Sequence, residues 1–346
     1  MNNRKQGACG RVDIGGQAVL EGVMMKAPDA IAISVRRPNG TIVTRRTPYV
    51  PLSKKHPWMG WPIVRGIVNF VTMLSMGMSV LQQSTDMLGM LDEEPSKFEK
   101  WLSQKLGKGI DKIVMAVAIV LAVILSIGLF FVIPELFARL LKAWMPDPSS
   151  NWLINLLSGI LRILILIGYI LFCAKVPDVR RTFEYHGAEH KAIHCFEHGL
   201  PMTPENARQF PRLHVRCGTA FLIMVMVIAI LVYTIFPLNA IISGFGVPDG
   251  LPKLVLVIVA RIVLMPVIAG ISYEITVKWA GSHPDNPLVK VILWPGMQMQ
   301  YLTTHEPDDA QMECAIAAMQ RVLEREEAEA ERARAEAAAK PVPAAS

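Results

Sequence analysis

Four histidines recur at four-residue spacing in the segment EYHGAEHKAIHCFEH, namely His186, His190, His194 and His198. An α-helix has about 3.6 residues per turn, so residues four apart lie on one face, about 6 Å apart along the axis. Adjacent imidazoles on this face can therefore bind one metal ion. The first two histidines also form the pattern H-x-x-E-H with Glu189, which is the spacing of two ligands and a general base in inverted zinc-hydrolase motifs.

Helix geometry limits how many of these histidines one ion can bind. His186 and His198 would lie about 18 Å apart along the axis, whereas a Zn–N bond is about 2 Å long. One helix therefore supplies two ligands per ion, and a third ligand must come from elsewhere. The candidates are Glu184, Glu197, His214, Cys217 and Glu274. The alternative interpretation is a solvated polar helix face whose histidines bind no metal.

The composition predicts a membrane protein. Hydrophobic residues make up 52% of the 346 residues and charged residues only 18%, which is more apolar than an ordinary soluble protein of this length. Segments 113–133 and 152–173 are apolar over about 20 residues, the length that a helix needs to cross a bilayer. Segments 219–236 and 254–272 are nearly as apolar. We therefore expect a mainly α-helical, polytopic protein with about four transmembrane helices.

Lysine and arginine alternate in number between the connections of these segments. Residues 97–112 contain five, residues 134–151 two, residues 174–218 seven and residues 237–253 one. Because cytoplasmic loops hold the excess of positive charge, we expect both termini and the histidine segment to be cytoplasmic. The first residues lack the apolar stretch of a secretory signal peptide. The expected location is the inner (plasma) membrane, with the chain crossing it several times.

The N-terminal 62 residues differ from the rest of the chain in their pattern of apolar and polar residues. AIAISVRRPNGTIVTRRTPY alternates apolar and basic residues around Asn39-Gly40, and Asn-Gly between β-branched runs is typical of a hairpin turn. We therefore expect a small β-hairpin element within residues 12–52. The following segment, 63–83, is apolar but contains Arg65, which favours an amphipathic or re-entrant helix over a fifth span. A fifth span would place the basic N-terminal residues outside the cell.

These observations divide the chain into seven segments. They are a β-rich N-terminal element (1–62), amphipathic and linker helices (63–112), a first transmembrane hairpin (113–173), the histidine-rich segment (174–218), a second transmembrane hairpin (219–272), a cytoplasmic C-terminal region (273–323), and a charged helix with a disordered tail (324–346). Residues 324–339 consist of Ala, Glu and Arg alone, which indicates a solvated extension rather than a site.

Two of the predicted spans each contain one arginine, Arg162 and Arg261. A charge inside a bilayer is costly, so such a residue binds a lipid or substrate, pairs within the helix bundle, or extends to the membrane surface. We expect pairing or extension for both. The net charge of +6 accompanies basic residues that flank spans and no nucleic-acid motif. The expected partners are therefore the bilayer with its anionic headgroups and a membrane protein, and no nucleic acid.

Four blocks of the sequence occur in a fixed order, namely GGQAVLEGVMMK, RTFEYHGAEHKAIHCFEHG, PRLHVRCGTAF and PGMQMQYLTTHEPDD. Together they resemble the YqhQ-like family of bacterial integral membrane proteins, over nearly all of residues 10–320. That family is a domain of unknown function described as a metal-dependent enzyme, so the resemblance implies metal chemistry and names no substrate. It extends the metal-site suggestion to His186, Glu189 and His190, and less strongly to His194 and His214.

The sequence thus predicts a divalent ion, with zinc favoured because imidazole and carboxylate ligands suit it. The predicted ligands are His186, His190, His194 and His214, and Glu189 is the predicted general base of a hydrolase-like enzyme at the cytoplasmic membrane surface. The alternative is a non-enzymatic factor that assists membrane-protein insertion or assembly, with structural histidines. Metal transport ranks last, because the spans contain few polar residues.

Overall fold

The computed structural model describes residues 14–89, 110–215, 217–280, 283 and 286–339. The chain divides into two compact units. The first unit comprises residues 1–90, 174–220 and 297–346, and the second comprises residues 91–173 and 221–296. The predicted linker helix at 97–109 and the predicted tail at 340–346 lie outside the described residues, as does the start of the predicted N-terminal element at 1–13.

Four antiparallel strands open the first unit. They are β1 (Gly15–Val19), β2 (Gly22–Lys26), β3 (Ala30–Arg36) and β4 (Ile42–Pro48), in the spatial order β1-β2-β3-β4. The β3–β4 hairpin turns through Asn39-Gly40, where Gly40 has a φ of 83°, a conformation that costs glycine little. The predicted hairpin is therefore confirmed, and the first two strands enlarge it to a four-stranded sheet.

Helices make up most of the remaining described chain. In order they are α1 (Leu52–Lys55), α2 (Val64–Leu88), α3 (Ile110–Ile127), α4 (Ile133–Trp144), α5 (Asn151–Cys173), α6 (Pro177–Glu197), α7 (Pro204–Arg208), α8 (Gly218–Ile235), α9 (Leu238–Gly244), α10 (Leu251–Tyr273), α11 (Pro287–Thr303) and α12 (Asp309–Ala339). A π-helical segment, Gly128–Val132, joins α3 to α4, and another, Glu274–Trp279, extends α10. Two short 3-10 turns lie at Pro57–Gly60 and Pro148–Ser150.

The sheet of the first unit is covered on both faces. On one face, Met24 and Ile33 pack in a buried cluster with Val80 and Met87 of α2. On the other face, side chains of β2 and β3 share a core with α6 and α12. Burial on both faces explains why β2 and β3 read as continuous apolar runs rather than as alternating patterns. The sheet thereby fixes the position of α6, the helix that contains the histidines.

Five helices in the described chain are long and apolar enough to cross a membrane. They are Val64–Leu88, Ala116–Trp144, Asn151–Cys173, Gly218–Gly244 and Leu251–Trp279. The last four coincide with the four predicted spans, and the first is the segment that we expected to be amphipathic or re-entrant. A mainly helical membrane protein with a small N-terminal β-sheet is the architecture that these elements indicate.

Candidate metal centre

Helix α6 places the histidine segment inside the first unit rather than on its surface. Glu189 and His190, in the middle of the helix, are 4% and 1% exposed. Gly187 permits this close packing, because a Cβ at this position would collide with the backbone carbonyl oxygen of His305. The N–H of His305 also donates to the carbonyl of Phe183 on the same helix. The middle of the histidine face is therefore not solvated.

His186, His190 and Cys217 form the first group of metal-type ligands. One ring nitrogen of each histidine and the thiol sulfur all lie within 4.8 Å of one another. His186 Nε2 lies 3.2 Å from Cys217 Sγ. Cys217 immediately precedes α8, so the third ligand comes from a different part of the chain, as the helix geometry required.

The second ring nitrogen of each histidine in this group is held by the backbone. His186 Nδ1 donates to the carbonyl of Thr303 at 2.8 Å, and His190 Nδ1 donates to the carbonyl of Arg212 at 2.5 Å. These bonds select the tautomer in which Nε2 carries a lone pair, as is usual for histidines that bind metals. In the described chain, His190 Nε2 is buried and makes no hydrogen bond of good geometry. The Cys217 sulfur lies within 4.8 Å of a ring nitrogen of His190.

Glu189 is buried beside this group of ligands. Within the described residues, its Oε2 atom has no hydrogen-bond partner. Burial raises the pKa of Glu189 to about 8, although the neighbouring His186 opposes the shift. The side chain fits because residue 16 is glycine, since a Cβ there would lie 2.7 Å from Oε1. A buried carboxyl group without a partner is unfavourable, and an adjacent cation relieves that cost.

The ionisation of the ligands suits a metal. Burial by itself would raise the pKa of the Cys217 thiol, but the interaction with the neighbouring His190 and a hydrogen bond with Thr219 outweigh this effect and leave the pKa below its ordinary value. Burial lowers the pKa of His190, so that its imidazole stays neutral. Thiolate and neutral imidazole are the forms in which these residues bind divalent ions. The group therefore has the donor set of a zinc site.

The other predicted ligands belong to a second group. His194, Glu197 and His214 also place one ligand atom each within 4.8 Å of the others. His214 Nε2 lies 3.3 Å from Glu197 Oε2, and burial lowers the pKa of His214 to about 4. His194 Nε2 donates to the carbonyl of Leu213 at 2.8 Å. The four histidines predicted as ligands are thus divided between two groups of three residues.

The two remaining candidates for a third ligand lie elsewhere. Glu184 accepts a hydrogen bond from Gln311 at 2.9 Å and pairs with Arg180. Glu274 belongs to the second unit. His198, at the end of the histidine stripe, is exposed and donates from Nδ1 to the carbonyl of His194 at 2.8 Å. Cys217 is therefore the candidate that the fold brings to His186 and His190.

Buried polar side chains hold the loop before α8 against the site. Lys191, on α6, donates to the carbonyl of Phe210 at 2.8 Å and pairs with Glu306 at 2.6 Å. The side chain of Gln300 accepts from the N–H of His214 and donates to its carbonyl, both at 2.8 Å. Two well-oriented bonds from one amide fix the backbone at this point. These bonds therefore hold His214 and the neighbouring Cys217 in a defined position beside α6.

Sequence reasoning did not single out Gly16, Gln300 or Thr303 as site residues. They are distant from α6 along the chain, by 117 residues between Thr303 and His186, for example. Each lies within one of the four sequence blocks that carried the family resemblance. Those blocks contribute to one site in the fold, and this is the signal by which the supporting residues could have been found.

Comparison with known proteins identifies the family. Residues 61–325 match a family model described as "Protein of unknown function (DUF1385)". The chain is 32% identical over 313 residues to "Uncharacterized protein YqhQ" of Bacillus subtilis (strain 168), which covers 90% of this chain and 92% of that protein. No solved structure matches. The chain therefore belongs to the YqhQ-like DUF1385 family, whose function is unknown.

Proposed function

We propose that this protein is a zinc-dependent, hydrolase-like membrane enzyme whose active site lies in the first unit at the cytoplasmic membrane surface. His186, His190 and Cys217 would hold the ion, and Glu189 would act as the general base. The observation that carries the proposal is the orientation of the two imidazoles. Each is hydrogen-bonded through Nδ1 to a backbone carbonyl, and the Nε2 atoms face one thiol.

The residues present fit a catalytic zinc ion. Two imidazoles and one thiolate supply three ligands, and catalytic sites characteristically keep the fourth position open, whereas structural sites fill it with protein. A cation at this position would also satisfy the buried His190 Nε2 and would favour the ionised form of the buried Glu189 carboxyl group. Among the described residues, neither His190 Nε2 nor Glu189 Oε2 makes a hydrogen bond of good geometry.

The residues of the site would each have a separate role in the reaction. A divalent ion supplies Lewis acidity toward water and toward a carbonyl oxygen. Glu189 would act as a general base when it accepts a proton from the attacking water. It would then act as a general acid when it gives that proton to the leaving group. The backbone carbonyls of Thr303 and Arg212 would keep the imidazoles in position. The expected substrate class is an amide or ester in a peptide or a lipid.

Packing within the first unit bears on how many times the chain crosses the membrane. Strands β2 and β3 precede α2, yet they share one buried core with α6, so both must lie on the same side of the membrane. The chain therefore crosses an even number of times between β3 and α6. Three candidate spans lie in that interval. The sequence of residues 90–109 contains eight charged residues, a composition that does not predict a span.

Helix α2 is the candidate that does not cross. It is the least apolar of the three candidates in this interval, and Val80, Met87 and Leu88 near its C-terminus pack against the sheet. Only about the first half of the helix is free of the sheet, which is too short for a bilayer core of about 30 Å. The proposed topology therefore has four crossings, the number expected from the sequence.

The free half of α2 is suited to the membrane surface. It exposes Val71 and Leu74, and the preceding segment exposes Trp58 and Trp61. Tryptophans beside an apolar helix face are typical of segments that lie in the headgroup region. The excess of lysine and arginine in 97–112 and 174–218 assigns this side to the cytoplasm and provides the attraction for anionic lipids. Cys217, just before α8, would then lie where the chain enters the bilayer.

The test is the metal content of the full-length protein purified in detergent. We expect about one zinc per chain, lost in His190→Ala and in Cys217→Ala, because two remaining ligands bind far more weakly. His198→Ala, at the exposed end of the same helix face, is the matched control and should keep its zinc. Unchanged zinc content in both ligand variants would refute the site.

A second candidate function follows from the burial of Glu189. The carboxyl group interacts electrostatically with His186 and Cys217, and a carboxylate that bound the ion as a fourth ligand would make a closed, structural site. The protein would then be a non-enzymatic factor that assists membrane-protein insertion or assembly. Glu189→Gln separates the two candidates in complementation of a deletion strain. Retained zinc with a loss of function of about 10²-fold supports catalysis, and full rescue supports the assembly factor.

A further inference from the structure

The helices of the second unit contain a buried polar cluster that is separate from the metal ligands. Glu135 of α4 is completely buried, and its Oε2 atom lies 2.8 Å from Nη1 of Arg261, which is 2% exposed. Asn239 donates from Nδ2 to Oε1 of the same carboxylate at 2.8 Å. The expected pairing of Arg261 within the helix bundle is therefore confirmed.

A second guanidinium group belongs to this cluster, and no carboxylate of the described residues forms an ion pair with it. Arg162 Nε donates to the carbonyl of Phe130 at 3.2 Å, and the group is close enough to Arg261 to be repelled by it. Within the described chain, Arg162 Nη2 and Arg261 Nε are buried atoms without a hydrogen-bond partner. Arg261 also lies over the ring of Tyr233, 5.5 Å from its centroid.

The cluster lies deep in the candidate spans. Glu135, Arg162 and Arg261 are each about ten residues from the ends of their helices at loops 145–150 and 245–250, which corresponds to about 15 Å along a helix axis. A bilayer core is about 30 Å thick, so this depth is near its middle. Arginine stays protonated under physiological conditions. The partly exposed Arg139 also pairs with Glu135, with its Nε 3.8 Å from Oε1. Three arginines near one carboxylate leave an excess positive charge where water is scarce, and such a charge is strongly unfavourable unless an anion accompanies it.

We propose that Arg162 and Arg261 bind a phosphate-class anion within the second unit. The two guanidinium groups offer several N–H donors in fixed planes, and a tetrahedral phosphate can accept from both at once. The buried donors without partners, Arg162 Nη2 and Arg261 Nε, would then be satisfied. Glu135 would hold Arg261 in place while reducing the net attraction for the anion. The phosphate is either that of a lipid headgroup or a free inorganic ion, and the experiment below distinguishes these sources.

The experiment measures the thermal stability of the full-length protein in an uncharged detergent. One arm compares inorganic phosphate with chloride at equal ionic strength. The other arm compares a short-chain phosphatidylglycerol with a diacylglycerol of the same chain length, which lacks the phosphate. Stabilisation of the wild type in either arm is expected, with an increase in melting temperature of about 3 °C or more at saturation. The arm that responds identifies the source.

Three variants connect any stabilisation to the cluster. The Arg162→Gln variant should need at least about tenfold more anion for the same stabilisation, because charge-assisted hydrogen bonds are lost. Glu135→Gln should strengthen it, because the competing carboxylate is removed. Lys142→Gln, on the same helix as Glu135 but bonded to Asn151 at 2.9 Å instead, is the matched control and should respond like the wild type.

The outcomes that overturn the proposal are equally specific. Absence of stabilisation in both arms would mean that the cluster is an internal pairing network. If the anion stabilises the Arg162→Gln variant as much as the wild type, the anion binds elsewhere on the protein. If Arg162→Gln fails to fold, Glu135→Gln decides the matter, since a response equal to or weaker than that of the wild type contradicts the proposal.

Discussion

Gly16 of β1 lies directly against the side chain of Glu189 of α6: a Cβ at residue 16 would lie 2.7 Å from the Oε1 atom of Glu189. The glycine therefore provides the space in which the buried carboxyl group lies beside His186 and Cys217. Gly16 itself pairs with Met25 in the sheet, so the strand cannot easily move away. The position of the proposed base is thus set by a backbone contact with a strand that precedes it by more than 170 residues.

Gly16→Ala should displace the carboxyl group of Glu189. We expect a loss of about 1–3 kcal/mol in the free energy of unfolding, the usual cost of overpacking, and a clear loss of complementation with zinc retained. Gly15→Ala is the matched control, because no atom lies within 4 Å of its added Cβ. Chemical unfolding and complementation measure the two effects. Equal behaviour of the two alanine variants would contradict the packing argument.

Removal of the metal should destabilise the wild-type protein. A ligand that binds only the folded state contributes about 3–4 kcal/mol at 100 to 1,000 times its dissociation constant, so a chelator should lower the melting temperature by several degrees. His190→Ala should already melt at the lower temperature and should not respond to the chelator. His198→Ala should respond like the wild type. Identical melting of the wild type with and without chelator would show that no ion is bound.

Breaking the ion pair in the second unit should cost far more than breaking one near its surface. Arg261→Met removes the nearest charged partner of the buried Glu135 carboxylate, which keeps the hydrogen bond from Asn239 and the more distant Arg139, and we expect a cost of about 3–5 kcal/mol. Adding Glu135→Gln should recover much of this loss. Lys253→Met is the control: Lys253 is itself buried, but the Asp249 carboxylate that loses its partner is 90% exposed and stays hydrated, so we expect a cost of only about 0–1 kcal/mol. A double-mutant cycle on detergent-solubilised protein measures the coupling, and additive effects would show that the two buried residues do not interact.

The sidedness of the first unit can be tested by cysteine labelling on a background without native cysteines. Single cysteines at Asn39, Arg208 and Glu313 should react with an impermeant reagent only after the membrane is permeabilised. Cysteines at Ser149 and Asp249 should react in intact cells. Asn39 is decisive for α2, because it precedes that helix. External labelling at Asn39 together with protection at Arg208 would mean that α2 crosses the membrane.

The sequence by itself determined the elements of this protein. The four long apolar helices, the histidine helix and the hairpin at Asn39-Gly40 all follow from hydropathy, helical periodicity and turn chemistry. These are properties of neighbouring residues, and neighbouring residues decide local structure. The spacing of His186 and His190 likewise restricted the number of ligands that one helix could supply, because helix geometry is the same in every protein.

The tertiary structure decided which residues meet. Among five candidates for a third ligand the sequence favoured His214, whereas packing brings Cys217 to His186 and His190 and groups His214 with His194 and Glu197. Packing also placed Gly16 beside Glu189 and paired Arg261 with Glu135. These contacts join residues that are far apart in the chain, so no local period predicts them. They form only when whole helices and strands pack around shared hydrophobic cores, so only the folded chain shows them.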